Sequence, residues 1–228
     1  RKINIFIIKF PGSNCDRDLH EAIKNCTNIE PKFIWHQESH IKTADIIFLP
    51  GGFSFGDYLR AGIMATKSPA IKEVIRHSKK GALIIGICNG FQILTECSLL
   101  EGALIRNNNQ LFKCKETYLK IKSNSFFKEK LNVNEVVKFP IAHSQGNFFA
   151  NKDLLKKMED RNQIVFKYSS ANGEINQIYN PNGSLLNIAG ITNKTKNVLG
   201  LMPHPERAIE NHTTMDGIKF FKKIIEMV

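Results

Sequence analysis

Three side chains of this sequence have the types and settings that acyl-transfer chemistry uses: Cys88, His204 and Glu206. Cys88 follows the apolar run Ala82–Ile85, which reads as a buried strand of a parallel sheet. Beyond it, Phe91, Ile93, Leu94 and Leu99 fall near helical spacing. A strand that turns sharply into a helix at Cys88 lifts the thiol above the carboxyl edge of the sheet. Unpaired N–H groups and the helix dipole favour negative charge there, and the thiolate is the form that attacks carbon. Gly86 and Gly90 suit a tight turn, the logic of the strained nucleophile elbow of serine hydrolases. A plain buried cysteine at a strand end would show the same residues, so the elbow alone leaves both readings open.

His204 sits between two prolines in Met202-Pro203-His204-Pro205-Glu206, at the end of another apolar run. The prolines limit its conformations. Glu206 is placed to orient the imidazole and stabilise its protonated form, the task of the third member of a triad. A loop histidine beside a solvated glutamate is the ordinary alternative. A tetrahedral intermediate would also need fixed donors for its oxyanion. The N–H of Asn89, next to the nucleophile, is one candidate. The N–H of Gly52, in the strand-ending Pro50-Gly51-Gly52, is the other, although a simple tight turn also explains the glycine pair. Cys15 follows a strand and opens a helix too, but has no base near it in sequence; a structural or partner-facing role is expected.

The elements that must position these residues alternate through the first half. Strands are expected at Ile3–Phe10, Lys32–His36 and Asp45–Leu49, with the central strand at 82–85. A helix capped by Ser13 or Asn14 runs to about Asn25, and another starts at Ser68-Pro69 and runs to about Lys80. Phe53–Thr66 reads as loop and helix. Strand–helix alternation argues for a parallel sheet covered on both faces, and ligands of such sheets sit beyond the carboxyl ends of the strands.

The second half carries shorter strands: 104–114 around a turn at Asn107–Asn109, then 117–122, 135–139, 163–168, 186–192 and 197–202. Helices are expected at 152–160 and at 213–228, the latter with Ile218, Phe221 and Ile225 on one face. Asn180-Pro181-Asn182-Gly183-Ser184 predicts a hairpin turn. The expected architecture is a single α/β domain over residues 1–228, a mostly parallel sheet with mixed strands appended.

The chain has 228 residues, 42% of them hydrophobic, enough for one sizeable core. No apolar run approaches membrane-helix length, and no secretory signal pattern opens the sequence. The five cysteines are scattered, with no C-x-x-C pair, so neither a zinc site nor a disulfide framework is indicated, and a reduced cytoplasmic protein is expected. The net charge of +11 raises nucleic-acid binding. No basic helix with base-reading spacing and no aromatic ribonucleoprotein motif accompanies it. The lysines are spread along the chain, as on solvated faces.

Together, Gly86–Gln92 and the late His204-Pro205-Glu206 resemble the class I, triad-type glutamine amidotransferases. That resemblance implies a flavodoxin-like, doubly wound fold. It also implies a glutamyl-thioester route to ammonia: Cys88 as nucleophile, His204 as general acid/base, Glu206 as its orienter, and Gly52 with Asn89 as the oxyanion hole. By motif position Gln92 helps hold glutamine. Phe10–Asp16, Pro50–Gly62, Cys88–Gln92 and Asn180–Ser184 narrow the resemblance to one family, the glutaminase subunits of phosphoribosylformylglycinamidine synthase. These motifs span nearly the whole chain. Pro140–Phe148 resembles a family segment near the glutamine pocket, which brings in Ser144 and Gln145; the family usually has an acidic residue where this chain has Gln145. His143 is a further candidate for the site.

The resemblance implies partners as well. The synthase converts formylglycinamide ribonucleotide to formylglycinamidine ribonucleotide with ATP, and this chain has no G-x-x-x-x-G-K-[ST] phosphate loop and no recognisable metal-ligand cluster. ATP and magnesium are therefore expected on a large synthetase subunit, accompanied by a small third subunit, with no cofactor or metal on this chain. Three other readings stay open: a glutaminase subunit of a different amidotransferase, a catalytically silent binding module on this fold, and a basic nucleic-acid-binding protein.

Overall fold

The computed structural model describes residues 2–128 and 130–228. Its first half is built as strand–helix alternation demands: β1 (Ile5–Lys9), α1 (Asp16–Thr27), β2 (Lys32–Trp35), β3 (Ile46–Leu49), α2 (Pro69–Lys79), β4 (Leu83–Ile87) and α3 (Asn89–Glu96). The second half adds β5 (Ala103–Ile105), β6 (Lys113–Ile121), β7 (Val136–His143), β8 (Asn147–Phe149), α4 (Lys152–Asp160), β9 (Ile164–Ser169), β10 (Ile188–Thr192), β11 (Val198–Leu201) and α5 (Asp216–Ile225).

The main sheet runs in the order β2-β1-β3-β4-β11-β10-β9-β6-β7, and β5 pairs with β8 in a small separate sheet. From β2 to β11 every pairing is parallel; from β11 to β7 every pairing is antiparallel. The difference is written in the side chains. β3, β4 and β11 are buried along their whole length, as strands covered on both faces must be. β7 alternates half-buried and buried residues, the signature of one covered face. One directional consequence matters for function. β1, β3, β4 and β11 point the same way, and alternation through β10, β9, β6 and β7 brings β9 and β7 back to that direction. The carboxyl ends of all these strands therefore lie along one edge.

Aromatic packing joins the two halves. Phe48 of β3 meets Phe221 of α5, with ring centroids 6.1 Å apart, while Phe220 contacts Phe127 and Phe139 at 5.8 and 6.0 Å. The buried face of α5 is thus centred on Phe220, Phe221 and Ile224, with Ile218 and Ile225 at its margins. Phe91 of α3 stacks near Phe148 of β8.

Three local expectations are corrected. Cys15, rather than Ser13 or Asn14, occupies the cap position of α1 and makes no side-chain cap bond. Ser68 does cap α2 by position, but its hydroxyl faces the Nδ1 of His36 at 2.9 Å. Residues 53–66 form short 3-10 turns without an α-helix.

Helix α3 leaves β4 at very close range. A Cβ added at Gly90 would lie 2.0 Å from the carbonyl oxygen of Leu49, and one at Gly86 would lie 2.6 Å from the backbone of Gly90. Neither neighbour is a flexible side-chain end. Gly90→Ala should therefore destabilise the fold by about 3 kcal/mol, the upper end of overpacking costs. Urea denaturation of the variant against the wild type measures this, and an unchanged midpoint would contradict it.

Candidate functional site

Cys88 is the elbow itself. Its backbone has φ 52° and ψ −106°, a conformation that non-glycine residues adopt only under constraint. The constraint is visible: the Cys88 N–H donates to the carbonyl of Leu201 on β11 at 2.8 Å, and its carbonyl accepts from Gln92 N–H at 3.1 Å. The thiol is 5% exposed as a residue and sits 3.7 Å from the carbonyl oxygen of Ala142 at the end of β7.

β11 is hydrogen-bonded directly to β4, so His204, just past its end, reaches the same place. The His204 N–H is anchored on the Pro140 carbonyl at 2.8 Å. Its Nδ1 meets Glu206 Oε1 at 2.6 Å, and both side chains are essentially without exposure. With Nδ1 on the carboxylate, Nε2 is the nitrogen left for chemistry, and it has no hydrogen-bond partner among the described residues. Burial acts to lower the pKa of His204. The Glu206 carboxylate and the Cys88 sulfur outweigh it and raise the imidazole to about 10. A Cβ added at Gly51 would lie 2.8 Å from His204 Cε1 and 3.4 Å from Cys88 Cβ. The Gly51 backbone therefore stands between base and thiol, at a distance where no side chain fits.

The two candidate oxyanion donors are also brought to this edge. Asn89 is the first residue of α3, one of the N–H groups that has no acceptor within its own helix. Gly52 has φ +128°, a conformation glycine tolerates. Its neighbours are tied to the loop after β1, Gly51 through its carbonyl to Cys15 N–H and Phe53 through its N–H to Gly12. The Gly52 N–H has no backbone acceptor among the described residues.

Gln92 is placed differently from a free substrate contact. Its Oε1 accepts from Asn89 Nδ2 at 2.9 Å, and its Nε2 donates to the Gln145 carbonyl at 2.8 Å. It bridges α3 to the segment after β7. The Asn89 side chain in turn accepts from Ser54 N–H and donates to Asp57, holding the 53–57 loop. Ser144 and Gln145 lie in that bridged segment and are partly exposed. His143 is 3% exposed, and burial, with the charge of His204, lowers it to about 4.

Several residues at the site carried no clear signal in the sequence. Cys15 is buried, not surface-facing, and its sulfur lies within 4.8 Å of donor atoms of both His204 and Glu206. Arg207 donates to it at 3.1 Å while also bonding Asp18 at 3.3 Å. Burial pushes the Cys15 thiol up, with the Glu206 carboxylate adding to the shift against Arg207. Cys15, His204 and Glu206 are close enough to surround a cation, but the His204–Glu206 bond and the Arg207 guanidinium already engage these groups. Only the fold brings residue 15 to residue 204. Asn107, Asn182 and Ser184 are likewise buried here. The 180–184 segment is not a hairpin turn; it lies in a broad connection between β9 and β10, flanked by 3-10 turns.

A thiol on a strand–helix elbow, facing a buried histidine–glutamate pair on the neighbouring parallel strand, is the arrangement of the glutamine amidotransferases. Comparison with known proteins agrees. A family model, the CobB/CobQ-like glutamine amidotransferase domain, matches residues 2–218. The chain is 49% identical over 223 residues to the phosphoribosylformylglycinamidine synthase subunit PurQ of Pelagibacter ubique, covering 96% of each. It is 47% identical to PurQ of Chlorobium chlorochromatii, covering 97% of this chain and 96% of that one. Among solved structures it matches a chain of PurLQS from Thermotoga maritima with a TM-score of 0.87 and 37% identity, covering 100% and 99% of the two chains. A glutamine amidotransferase from the same organism shares the fold, with a TM-score of 0.60 and 15% identity, covering 100% and 98%. The chain belongs to the CobB/CobQ-like glutamine amidotransferases and, within them, to the family of PurQ subunits of phosphoribosylformylglycinamidine synthase.

The two histidines make opposite contributions to the pH dependence of folding. His204 is raised from 6.5 to about 10, so its stabilisation is complete below pH 6.5 and is lost as pH rises through the folded value. His143 is lowered from 6.5 to about 4. The unfolded chain takes up a proton that the folded one refuses, so stability falls as pH drops across that window, by on the order of 3 kcal/mol. Urea denaturation between pH 4 and 7 should show this loss, and His143→Gln should remove most of it. An equal acid-side loss in the variant would show that another group is responsible.

Proposed function

We propose that this chain is the glutaminase of a phosphoribosylformylglycinamidine synthase, with Cys88, His204 and Glu206 as its catalytic triad. The observation that carries the reading is the burial of a 2.6 Å His204–Glu206 pair beside a thiol held on a strained elbow. Cys88 attacks the side-chain amide carbon of glutamine. The developing oxyanion is received by the N–H groups of Gly52 and Asn89. His204 gives its proton to the departing nitrogen, and ammonia leaves a glutamyl thioester. Water, deprotonated by His204, then cleaves the thioester to glutamate and the free thiol. Glu206 holds the imidazole in register and stabilises its charged form. Ser144 and Gln145 border the substrate, and Gln92 contributes by fixing the Gln145 carbonyl.

The ammonia is used on a partner. Relatives of this chain are named as subunits of the synthase, and the Thermotoga chain comes from the PurLQS assembly. The large synthetase subunit is where ATP, magnesium and formylglycinamide ribonucleotide bind, with the small subunit completing the complex; this chain supplies no cofactor site. The loop that carries Gly52 leads directly to Tyr58 and Leu59, 90% and 77% exposed. Between them, Phe55, Gly56 and Asp57 all have positive φ. A docked synthetase touching Tyr58 and Leu59 can therefore act on the oxyanion donor through a short, strained connection. No helix is long and apolar enough to cross a membrane, and the free cysteines fit a reducing cytoplasm.

Ammonia release from glutamine should rise about tenfold or more when the chain meets the synthetase subunits, ATP and formylglycinamide ribonucleotide. Cys88→Ala should lower the rate at least about 1,000-fold in either setting. Equal activity alone and in the complex would refute the latency; retained activity in Cys88→Ala would refute the nucleophile. Gly51→Ala tests the triad geometry without removing any of its members. It should cost kcat about 100-fold or more by forcing His204 away from Cys88, while circular dichroism shows the fold retained. A kcat near wild type would show that the backbone at residue 51 does not set the spacing.

A further inference from the structure

The segment that closes the site opposite Cys88 does not hold itself. Between β7 and β8, the backbone groups of residues 143–146 are bonded to side chains and backbone from three distant stretches. Asn107 donates through Nδ2 to the His143 carbonyl at 2.9 Å and accepts from Gly146 N–H at 3.1 Å. Its own N–H reaches the Ser144 carbonyl at 2.8 Å. Gln92 takes the Gln145 carbonyl. The Gly146 carbonyl receives Asn182 Nδ2 at 2.8 Å and faces the Ser184 hydroxyl at 3.1 Å. Ser184 Oγ also accepts from Phe148 N–H at 3.0 Å, just beyond the segment.

Asn182 is the junction of this scaffold. It is fully buried, and Nδ2 also lies 3.5 Å from His143 Nε2 and 3.4 Å from the Tyr168 hydroxyl. Its place is fixed from behind. Asn180 Oδ1 accepts from the N–H groups of Asn182 and Gly183, and Asn180 Nδ2 holds the Ser184 carbonyl and Asn187. Asn182 Oδ1 receives Ser184 N–H, and its carbonyl receives Asn108 N–H. The five residues Asn180–Ser184 thus form a rigid bracket whose one outward-reaching donor meets the wall of the site.

We propose that Asn182, assisted by Ser184, is a positioning residue of the glutaminase, setting its affinity for glutamine by fixing residues 143–146 against Cys88. The proposal rests on the glutaminase reading above. Asn182 touches neither thiol nor base: the triad is anchored by Leu201 and Pro140, whereas the bracket anchors the wall. Loss of the bracket should therefore separate binding from chemistry. A buried acceptor left without its donor shifts until it finds water or another partner, and the wall moves with it.

The test compares ammonia release by wild type, Asn182→Ala and Ser184→Ala, each assembled with the synthetase subunits, over a range of glutamine concentrations. Asn182→Ala should raise KM for glutamine about tenfold, the effect of one lost buried hydrogen bond, with kcat within about threefold. The rate of Cys88 alkylation by iodoacetamide in the absence of glutamine should be unchanged, because the triad is intact. Ser184→Ala should move KM in the same direction by a smaller factor, and it decides the matter if Asn182→Ala does not fold. KM within twofold of wild type in the variants that fold, or a fall in kcat at unchanged KM, overturns the proposal. A Cys88→Ala control that keeps releasing ammonia would instead fault the glutaminase reading on which the test stands.

Discussion

Everything at this site depends on how closely helix α3 can approach the ends of β3 and β4. The approach is possible because Gly86 and Gly90 present no side chains to each other or to the Leu49 carbonyl. With that clearance the chain can reverse direction within a single residue, and that residue is Cys88. The positive φ there is held by the hydrogen bond from Cys88 to β11 and by the first turn of α3. The same sheet edge then receives the ends of β1, β11 and β7. Strand direction alone explains why residues 15, 51, 88, 142 and 204 meet.

The electrostatics follow from burial. A histidine with 2% of its side chain exposed would ordinarily lose its proton, and the carboxylate of Glu206 reverses this. His143, equally buried but without a carboxylate, is left neutral. Two imidazoles on one edge thus have opposite tendencies, decided by a single neighbouring group. Cys15 and Arg207 complete the far side of the pair, with Asp18 holding the guanidinium.

Much of this could be read from the chain before folding. The run into Cys88 announced a buried strand and an elbow, because hydrophobic periodicity and glycine placement are local properties. His204 and Glu206 were legible through the prolines around them. The parallel half was legible because its strands are continuously apolar. Legibility failed where a residue's meaning depends on what the topology brings beside it. Nothing around Cys15 indicates that Arg207 will sit on its sulfur. Asn180–Ser184 has the composition of a tight turn, yet its polar side chains are turned inward onto Gly146. Gln92 looked like a free amide, and both ends of it are bonded within the protein. β8, three residues long, exists only as a partner for β5.

The bracket has a chemical lifetime as well as a shape. Asn182 is followed by Gly183, the pairing in which a backbone nitrogen most readily attacks the preceding side-chain amide, expelling ammonia and closing a succinimide that opens to aspartate or isoaspartate. In the folded chain the Gly183 N–H is directed at Asn180 Oδ1, at 2.9 Å, and the Asn182 amide is fixed on Gly146. That geometry keeps the attacking nitrogen from its target. Chain that spends time unfolded loses the protection, and ageing would place an anionic carboxylate, which cannot donate, against the Gly146 carbonyl. The segment that orders the wall of the site therefore also records how long the protein has remained folded.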